Sequence, residues 1–437
     1  MLLPPDVFAR RRRALMDRLG PSAAAVFPAA PTSIRSNDVE YPYRQDNDFL
    51  YLTGFVEPEA ACVLSPGHPQ AEFVLFVRPR DPERETWTGR RAGVEDAKTV
   101  YGAQAAYTID ELDAKIGDYV GERDRLYYAF GRDAAFNQRV LGWLQRWQQL
   151  RPRSGTGPVA VLDPREIVHE MRLIKGAEEV ACMRKAIEIA AAGHHAAMRA
   201  ARDGTREYEI EALLQYSFRK AGGAGPAYPS IVASGPNATI LHYTANDEVL
   251  RAGQLLLVDA GAEYAGYCSD VTRTFPVDGR FRQAQRALYD VVLQAQRAAL
   301  DTVKPGARID APHTRALEVL VDGLVTLGIL TGDRQEIISK ELYRPFYMHR
   351  TSHWLGMDVH DVGKYKLGGD ARILEPGMVL TVEPGLYIGP DKADVPERYR
   401  GIGIRIEDDV LVTPAGHEVL SDAVPKLPAD LESLRAA

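Results

Sequence analysis

Hydrophobic and polar residues follow two different periods in the first part of the chain. Short apolar runs typical of β-strands alternate there with charged segments whose apolar residues recur at helical spacing. Examples are the strand-like runs 60–64 and 72–77 and the helix-like segments 110–119 and 137–150. At the start, Phe8, Ala14, Leu15 and Leu19 predict an amphipathic helix. The pattern as a whole predicts a mixed α/β domain.

The segment 152–158 separates this domain from the next one. It reads Pro-Arg-Ser-Gly-Thr-Gly-Pro and is rich in residues that form turns. We therefore expect an N-terminal α/β domain over residues 1–158 and a second domain over residues 159–437.

The second domain repeats one order of predicted elements, in which two helices are followed by a strand hairpin. The helical segments are 178–202, 206–220, 283–303 and 310–327. The strands repeat as well, because 253–261 and 377–385 share Gly, an apolar run, Val, an acid and Gly at equal spacing. Internal repetition of this kind predicts two related halves, with Asp259 and Glu383 at equivalent positions.

Acidic residues stand at the strand ends of both halves. Asp259 and Asp270 belong to the first half, and Glu383 and Glu407 belong to the second. A carboxylate on a buried strand is costly without a partner, and a metal ion is the simplest partner that satisfies several carboxylates at once. If the two halves face each other, these acids and His353 form a five-ligand set suited to two divalent cations. Oxygen-rich ligation with one imidazole favours Mn²⁺ or Co²⁺, and Zn²⁺ is a further option.

Alternation in the segment 403–407 places Arg405 and Glu407 on one face of a strand. The guanidinium group of Arg405 matches a carboxylate, so Arg405 is expected to hold the acids in position. A surface salt bridge on an edge strand is the alternative, and this strand alone does not decide between the two.

The histidines of the segment 349–360 do not form a zincin site. His349 and His353 are four residues apart, the spacing at which a helix presents two zinc ligands. However, Arg350 stands where a zincin has its glutamate, and the neighbouring residues favour extended structure.

The composition narrows the class of protein. A formal net charge of −7 argues against a nucleic-acid partner, and no apolar run approaches the ~20 residues that span a bilayer. The three cysteines, Cys62, Cys182 and Cys268, are widely spaced, as in reduced proteins of the cytoplasm. We therefore expect a cytoplasmic protein without nucleic-acid or membrane partners, and we also expect a homo-oligomer, either a dimer or a tetramer.

Taken together, the motifs resemble the metallopeptidases with the pita-bread fold, and among them the bacterial aminopeptidase P family. The resemblance rests on the segments 259–275, 352–363 and 401–409, and it extends into the first domain through 47–55 and Trp87. It therefore covers nearly the whole chain. One departure is Arg350, where such enzymes commonly have Gly.

The resemblance implies a pita-bread (creatinase/aminopeptidase-like) C-terminal domain with an internal pseudo-twofold repeat. It implies two metal ions with a bridging hydroxide, and release of one N-terminal residue from peptides that have proline second. The metal ligands would be Asp259, Asp270, His353, Glu383 and Glu407. Glu383 would also accept a proton, and His360 would stabilise the tetrahedral intermediate or the carbonyl oxygen. The residues that would line the site or contact substrate are His242, at the proline subsite, with His349, Tyr228 and Trp87.

Other functions remain open on this pattern. Prolidase has the same five ligands but cuts only Xaa-Pro dipeptides, and the context of Ser352-His-Trp together with the N-terminal match favours the aminopeptidase. A binding protein that kept the fold and lost the chemistry, or a metal-free creatine hydrolase, is expected to have lost ligand positions. All five positions are intact here.

Overall fold

The structure, a computed structural model, describes residues 3–434. The chain divides into two compact units, Met1–Arg172 and Leu173–Ala437. The boundary after residue 158 that the turn-forming segment suggests stays a prediction.

Unit 1 is built on a six-stranded mixed sheet, as the α/β pattern predicts. Its helices are α1 (Pro5–Leu19), α2 (Asn47–Thr53), α3 (Pro82–Thr88), α4 (Gly93–Thr99), α5 (Leu112–Val120), α6 (Ala134–Ser154) and α7 (Arg165–Leu173). Its strands are β1 (Ala23–Pro28), β2 (Ile34–Ser36), β3 (Val39–Glu40), β4 (Ala61–Leu64), β5 (Phe73–Val77), β6 (Ala105–Thr108), β7 (Arg125–Tyr127) and β8 (Ala160–Leu162). The sheet order is β6-β5-β4-β1-β7-β8, with β4 antiparallel to both of its neighbours.

The segment 152–158 begins inside a helix, so its first residues are not a linker. Pro152 lies in the last turn of α6, and Gly155 ends the helix with a left-handed φ of 73°. Trp143 and Trp147 on α6 are buried in the core of unit 1. Their burial stabilises the helix beyond the point at which the turn-forming residues alone would end it.

Unit 2 contains the remaining elements. Its helices are α8 (Ala177–Ala200), α9 (Glu207–Lys220), α10 (Gln283–Leu300), α11 (Ala311–Thr326), α12 (Arg334–Ser339) and α13 (Pro428–Ser433). Its strands are β9 (Gly225–Pro226), β10 (Ile231–Ser234), β11 (Leu255–Asp259), β12 (Ala262–Tyr264), β13 (Tyr267–Cys268), β14 (Thr272–Pro276), β15 (Lys366–Leu367), β16 (Asp370–Ala371), β17 (Val379–Val382), β18 (Gly385–Ile388), β19 (Ile402–Arg405), β20 (Asp408–Thr413) and β21 (Gly416–Val419).

The predicted repeat is present in unit 2. In the first half, the packed helices α8 and α9 precede a sheet of order β10-β11-β14, and in the second half α10 and α11 precede a sheet of order β17-β20-β21. An isolated bridge between Thr272 and Glu407 joins the two halves, and the amide of Glu407 donates to the carbonyl of Thr272 at 3.1 Å. The structure also contains three elements that the sequence did not predict, namely β9 and β10 within the segment 222–239 and α12 after α11.

Each of the three cysteines is buried, and none of them forms a disulfide within the described residues. Within residues 3–434, no helix combines the length and the apolar character needed to cross a bilayer.

Candidate metal centre

The five predicted ligands line a single cavity of about 500 Å³ in unit 2. Asp259 ends β11, Asp270 precedes β14, Glu383 follows β17, and Glu407 lies between β19 and β20. His353 comes from a non-helical segment that runs beside β17, as expected. The ligands therefore sit where strands of both halves begin or end, and the backbone fixes the place of each one.

Backbone hydrogen bonds set the position of His353 relative to Glu383. The amide of Thr381 donates to the carbonyl of His353 at 2.9 Å, and the amide of Glu383 donates to the carbonyl of Thr351 at 2.8 Å. The segment 351–353 thus lies along β17 like a short additional strand. A zincin site needs His349 and His353 on one face of a helix, whereas here the segment that carries His353 is extended. The geometry therefore agrees with the exclusion of a zincin site.

The two glycines of the repeat allow the strands that carry the ligands to approach. A Cβ at Gly261 would lie 1.7 Å from the carbonyl oxygen of Ser269, the residue before Asp270. A Cβ at Gly385 would lie 2.9 Å from the carbonyl oxygen of Ile404, next to Arg405. A larger residue at either position would push the neighbouring ligand strand away.

The side chains of the ligands are close to one another. His353 Nε2 lies 3.3 Å from Asp270 Oδ2 and 3.6 Å from Glu383 Oε1. Asp270, His353 and Glu407 each offer a ligand atom within 4.8 Å of the other two. Asp259 joins this group through Tyr228, whose hydroxyl lies 2.6 Å from Asp259 Oδ1 and 2.5 Å from Asp270 Oδ1.

The electrostatics of the cluster call for a cation. Burial raises the pKa of Glu383 to about 7, because the repulsion of Asp270 and Asp259 adds to it while His353 and Arg405 only partly oppose it. Burial raises the pKa of Asp270 and Glu407 as well. Burial would lower the pKa of His353, but its hydrogen bond to Asp270 and the charge of Glu383 raise it to about 9.

The raised carboxyl pKa values come first from burial and then from the repulsion between neighbouring carboxylates, which the buried cations of the site only partly compensate. Four carboxylates and one imidazole, all deprotonated, are the donor set that divalent metal ions bind. The residues present therefore fit a metal centre.

Arg405 is a buried cation beside these acids. Its Nη2 donates to Asp259 Oδ2 at 2.5 Å, its Nη1 donates to the hydroxyl of Tyr387 at 3.0 Å, and its Nε donates to Thr272 Oγ1 at 3.2 Å. Thr272 in turn donates to Glu407 Oε2 at 2.6 Å. Arg405 thus acts directly on Asp259, whereas it reaches Glu407 through Thr272.

Sequence reasoning missed three residues that support the ligands, namely Thr272, Asp409 and Asp408. Asp409 Oδ2 accepts from the amide of Asp270 at 3.1 Å. Asp408 pairs with Arg273, which also donates to the carbonyl of Glu407 at 2.5 Å. Thr272 lies two residues after Asp270 and Asp409 two after Glu407, so the strand period of two was a usable signal for both.

The histidines around the centre differ in their surroundings. Burial lowers the pKa of His349 to about 3, so this ring is neutral at pH 7. Its Nε2 lies 2.8 Å from the hydroxyl of Tyr387 and its Nδ1 lies 2.7 Å from the carbonyl of Arg350. Because a carbonyl only accepts, Nδ1 carries the hydrogen and Nε2 accepts from Tyr387. Both ring nitrogens are therefore occupied within the protein.

His360 stands edge-on to His353, with ring centroids 4.4 Å apart, and burial lowers its pKa. His242 and Tyr228 line the same cavity. Trp87 lies on α3 of unit 1, is 86% exposed, and does not line this cavity. The catalytic and substrate-binding roles expected for these side chains stay predictions.

Comparison with known proteins agrees with this geometry. Residues 181–414 match Metallopeptidase family M24, and residues 8–127 match the aminopeptidase P N-terminal domain. The Xaa-Pro aminopeptidase of Escherichia coli (strain K12) is 48% identical over 98% of this chain and 97% of its own. The structure of Pseudomonas aeruginosa aminopeptidase PepP is 49% identical, with a TM-score of 0.98, over 100% of this chain and 99% of that one. Escherichia coli aminopeptidase P with the inhibitor Pro-Leu is 46% identical, with a TM-score of 0.96, over 100% and 99%.

Proposed function

This chain belongs to metallopeptidase family M24, and we propose that it is an aminopeptidase that releases the N-terminal residue from peptides whose second residue is proline. Membership confirms the resemblance drawn from the motifs, including the pita-bread C-terminal domain. The observation that carries the proposal is the full-length identity with an Xaa-Pro aminopeptidase, combined with the presence of all five predicted ligands in one cavity.

The metal centre follows from the same residues. We propose that Asp259, Asp270, His353, Glu383 and Glu407 hold two divalent cations, and that these are Mn²⁺ because the donor set is rich in oxygen. Bound there, two such cations supply the Lewis acidity that peptide hydrolysis requires.

Glu383 and His360 are the side chains to which we assign proton transfer and stabilisation of the developing negative charge. Glu383 turns Oε1 toward His353 at 3.6 Å, while Oε2 lies 3.7 Å from His349, so its two oxygens face different neighbours. We assign it the acceptance of a proton from the attacking water in addition to its role as a ligand. His360, a neutral ring at pH 7, keeps one N–H with which to stabilise the negative charge that develops on the substrate carbonyl oxygen.

Arg405 and Tyr387 hold other side chains of the site in position. Arg405 holds Asp259 by a charge-assisted hydrogen bond, and Tyr387 links Arg405 to His349. His242 lies on the exposed wall of the cavity, where we place the proline ring of the substrate. Tyr228 is a further substrate contact in this proposal. For Tyr228 the hydroxyl is already shared by two carboxylates, which leaves its ring as the contact surface.

A peptide series tests the proposal. The purified protein is loaded with Mn²⁺ and incubated with an Xaa-Pro dipeptide, an Xaa-Pro-Yaa tripeptide and an Xaa-Ala-Yaa tripeptide, and the products are identified by mass. We expect cleavage between Xaa and Pro in the tripeptide and no cleavage of the alanine peptide. A strict preference for the dipeptide would assign the chain to prolidase instead.

Metal removal provides the second arm. Exhaustive chelation, verified by elemental analysis, is expected to abolish hydrolysis, and Mn²⁺ is expected to restore it. Full activity of the metal-free protein would refute the metal centre.

We also propose that the protein acts in the cytoplasm as a homo-oligomer. The three buried free cysteines are compatible with a reducing compartment. Light scattering of the purified protein measures the number of subunits.

A further inference from the structure

The cavity of the metal centre is lined by two arginines with different surroundings, Arg405 and Arg350. The guanidinium of Arg405 is buried and bound to three partners. The side chain of Arg350 is exposed, and across residues 3–434 it forms no ion pair or side-chain hydrogen bond with another described residue. A charge without a partner at the wall of a binding cavity is free to bind a ligand of opposite sign.

The acids near Arg350 already have other partners. The four carboxylates that line the cavity are those of the metal centre. Outside it, Arg350 lies close enough to Asp310 for its charge to contribute to the lowered pKa of that carboxyl, whose largest cause is the hydrogen bond from Arg308. Arg308 binds Asp310 through Nε at 3.0 Å and Nη2 at 2.9 Å. Arg350 also contributes, after burial, to the lowered pKa of His313 on α11, which is about 4. Thus none of the described groups around Arg350 neutralises it.

The backbone of Arg350 is fixed next to the metal centre. Its carbonyl accepts from His349 Nδ1 at 2.7 Å, and the next residue, Thr351, accepts from the amide of Glu383 at 2.8 Å. The origin of the Arg350 side chain is therefore set by the same segment that positions a metal ligand.

We propose that Arg350 is a specificity-determining residue that selects substrates with a carboxylate directly after the proline. This inference rests on the proposed function. The carboxylate is either the free C-terminus of an Xaa-Pro-Yaa tripeptide or an acidic side chain at Yaa. Two residues beyond the scissile bond an extended peptide has advanced by ~7 Å, and Arg350 belongs to the same cavity lining as the five candidate ligands.

The same charge determines the direction in which a peptide binds. Arg350 repels the N-terminal ammonium group of the substrate and attracts its carboxylate, so the N-terminus lies at the other side of the metal centre. Because Arg350 is not one of the five candidate metal ligands, its charge acts on the choice of substrate without changing the ligand set.

The test compares matched peptides that differ by one charge. The kcat/KM of the Mn²⁺-loaded protein is measured for Ala-Pro-Ala and for Ala-Pro-Ala-amide, and then for Ala-Pro-Asp-amide and Ala-Pro-Asn-amide. The first pair reports recognition of the C-terminus and the second pair recognition of an acidic side chain. For an exposed ion pair we expect the wild-type protein to favour the charged member of at least one pair by roughly 1.5- to 5-fold.

Variants assign the preference to Arg350. Arg350→Ala is expected to reduce the charged-to-neutral ratio to about one, Arg350→Lys to keep part of it, and Arg350→Glu to bring it below one. Arg251→Ala is the matched control, because Arg251 is another exposed arginine of unit 2 that lies outside the cavity lining. This control is expected to keep the wild-type ratio. Raising the salt from 0.05 M to 1 M is expected to lower the wild-type ratio, since screening acts on the charge and not on the shape of the cavity.

The outcomes are distinguishable. A wild-type ratio of one for both pairs, with Xaa-Pro cleavage intact, would overturn the role of Arg350 and leave the proposed function standing. If the Arg350→Ala variant keeps the wild-type preference for the charged peptide, another residue causes that preference and the role of Arg350 is overturned. Failure of the wild-type protein to cleave any of the four peptides would overturn the proposed function itself, and the inference with it.

Discussion

Replacing Asp408 by asparagine is predicted to destabilise unit 2 by about 3–5 kcal/mol, the cost of leaving a buried charge without its partner. Asp408 and Arg273 are both fully buried, and Arg273 Nη2 lies 2.7 Å from Asp408 Oδ1. The same carboxylate accepts from Ser421 at 2.6 Å and from Gln296 at 2.6 Å, and it pairs with Lys426. Asparagine keeps the volume of the side chain, but it removes the charge and turns a donor toward groups that themselves donate.

The assay must report on unit 2 alone, because the chain has two compact units. Hydrogen exchange of peptides from β20 and β21, followed by mass spectrometry across a urea series, meets that need. At 2–4 °C per kcal/mol, the same loss corresponds to a fall of ~6–20 °C in the melting temperature of the unit. Asp422→Asn is the control, since Asp422 is exposed in the same segment, and its expected effect is within ~0.5 kcal/mol.

The double variant Asp408→Leu, Arg273→Met separates charge from packing. Apolar residues of similar volume often recover the stability lost when one partner of a buried pair is removed. The double variant should therefore be more stable than Asp408→Asn. If Asp408→Asn costs less than ~1 kcal/mol, or if the double variant is the less stable one, the buried pair does not contribute as reasoned here.

Three other variants are predicted to behave differently from one another. Glu383→Gln should lose roughly 10²–10⁴-fold in kcat, and a Mn²⁺ titration with bound metal counted should not restore it; full recovery would show that Glu383 is a ligand only. Arg405→Ala should lose ~10–100-fold in activity or metal affinity and be partly rescued by excess Mn²⁺, which a matched titration measures. In unit 1, burial opposes the ionisation of Asp48, but its hydrogen bonds to His169 and Arg172 outweigh burial and hold its pKa below the usual range. Because the folded pKa is lowered, Asp48 contributes its full stabilisation above the unfolded pKa of ~3.9 and loses it gradually as the pH falls from there toward the folded pKa. The difference between the urea midpoints of wild type and Asp48→Asn should therefore be constant at pH 5–7 and shrink progressively below pH ~4.

Candidate ligands could be predicted from the sequence where a short stretch of residues marks them. Asp259 and Glu383 each follow an apolar run inside a repeated Gly-to-Gly frame, and this frame alone places them at equivalent strand ends. The alternation of side chains between the two faces of a strand was the signal for Arg405, whose guanidinium contacts Asp259 in the structure. Local periodicity was therefore enough to name these residues as candidates and to predict their approximate positions on the strands.

The contacts between the two halves had no local signal. The hydrogen bond from Thr272 to Glu407 joins residues 135 positions apart, and the pair of Arg273 with Asp408 spans the same separation. Their partners depend on how the halves meet, which is a tertiary property. The sequence also did not predict that Pro152 lies in a helix, and the reason is again tertiary. Burial of Trp143 and Trp147 stabilises α6 and outweighs the preference of proline for a turn.

The bridge between Thr272 and Glu407 joins two residues that the ribosome makes at different times. The first ligand, Asp259, leaves the ribosome 148 residues ahead of the last, Glu407. At ~5–20 residues per second, roughly 7–30 s pass between the synthesis of Asp259 and that of Glu407. During that interval Thr272 has no bridge partner, and Asp259 is made before Arg405. A chain whose translation stops before Glu407 therefore cannot assemble the five-ligand set.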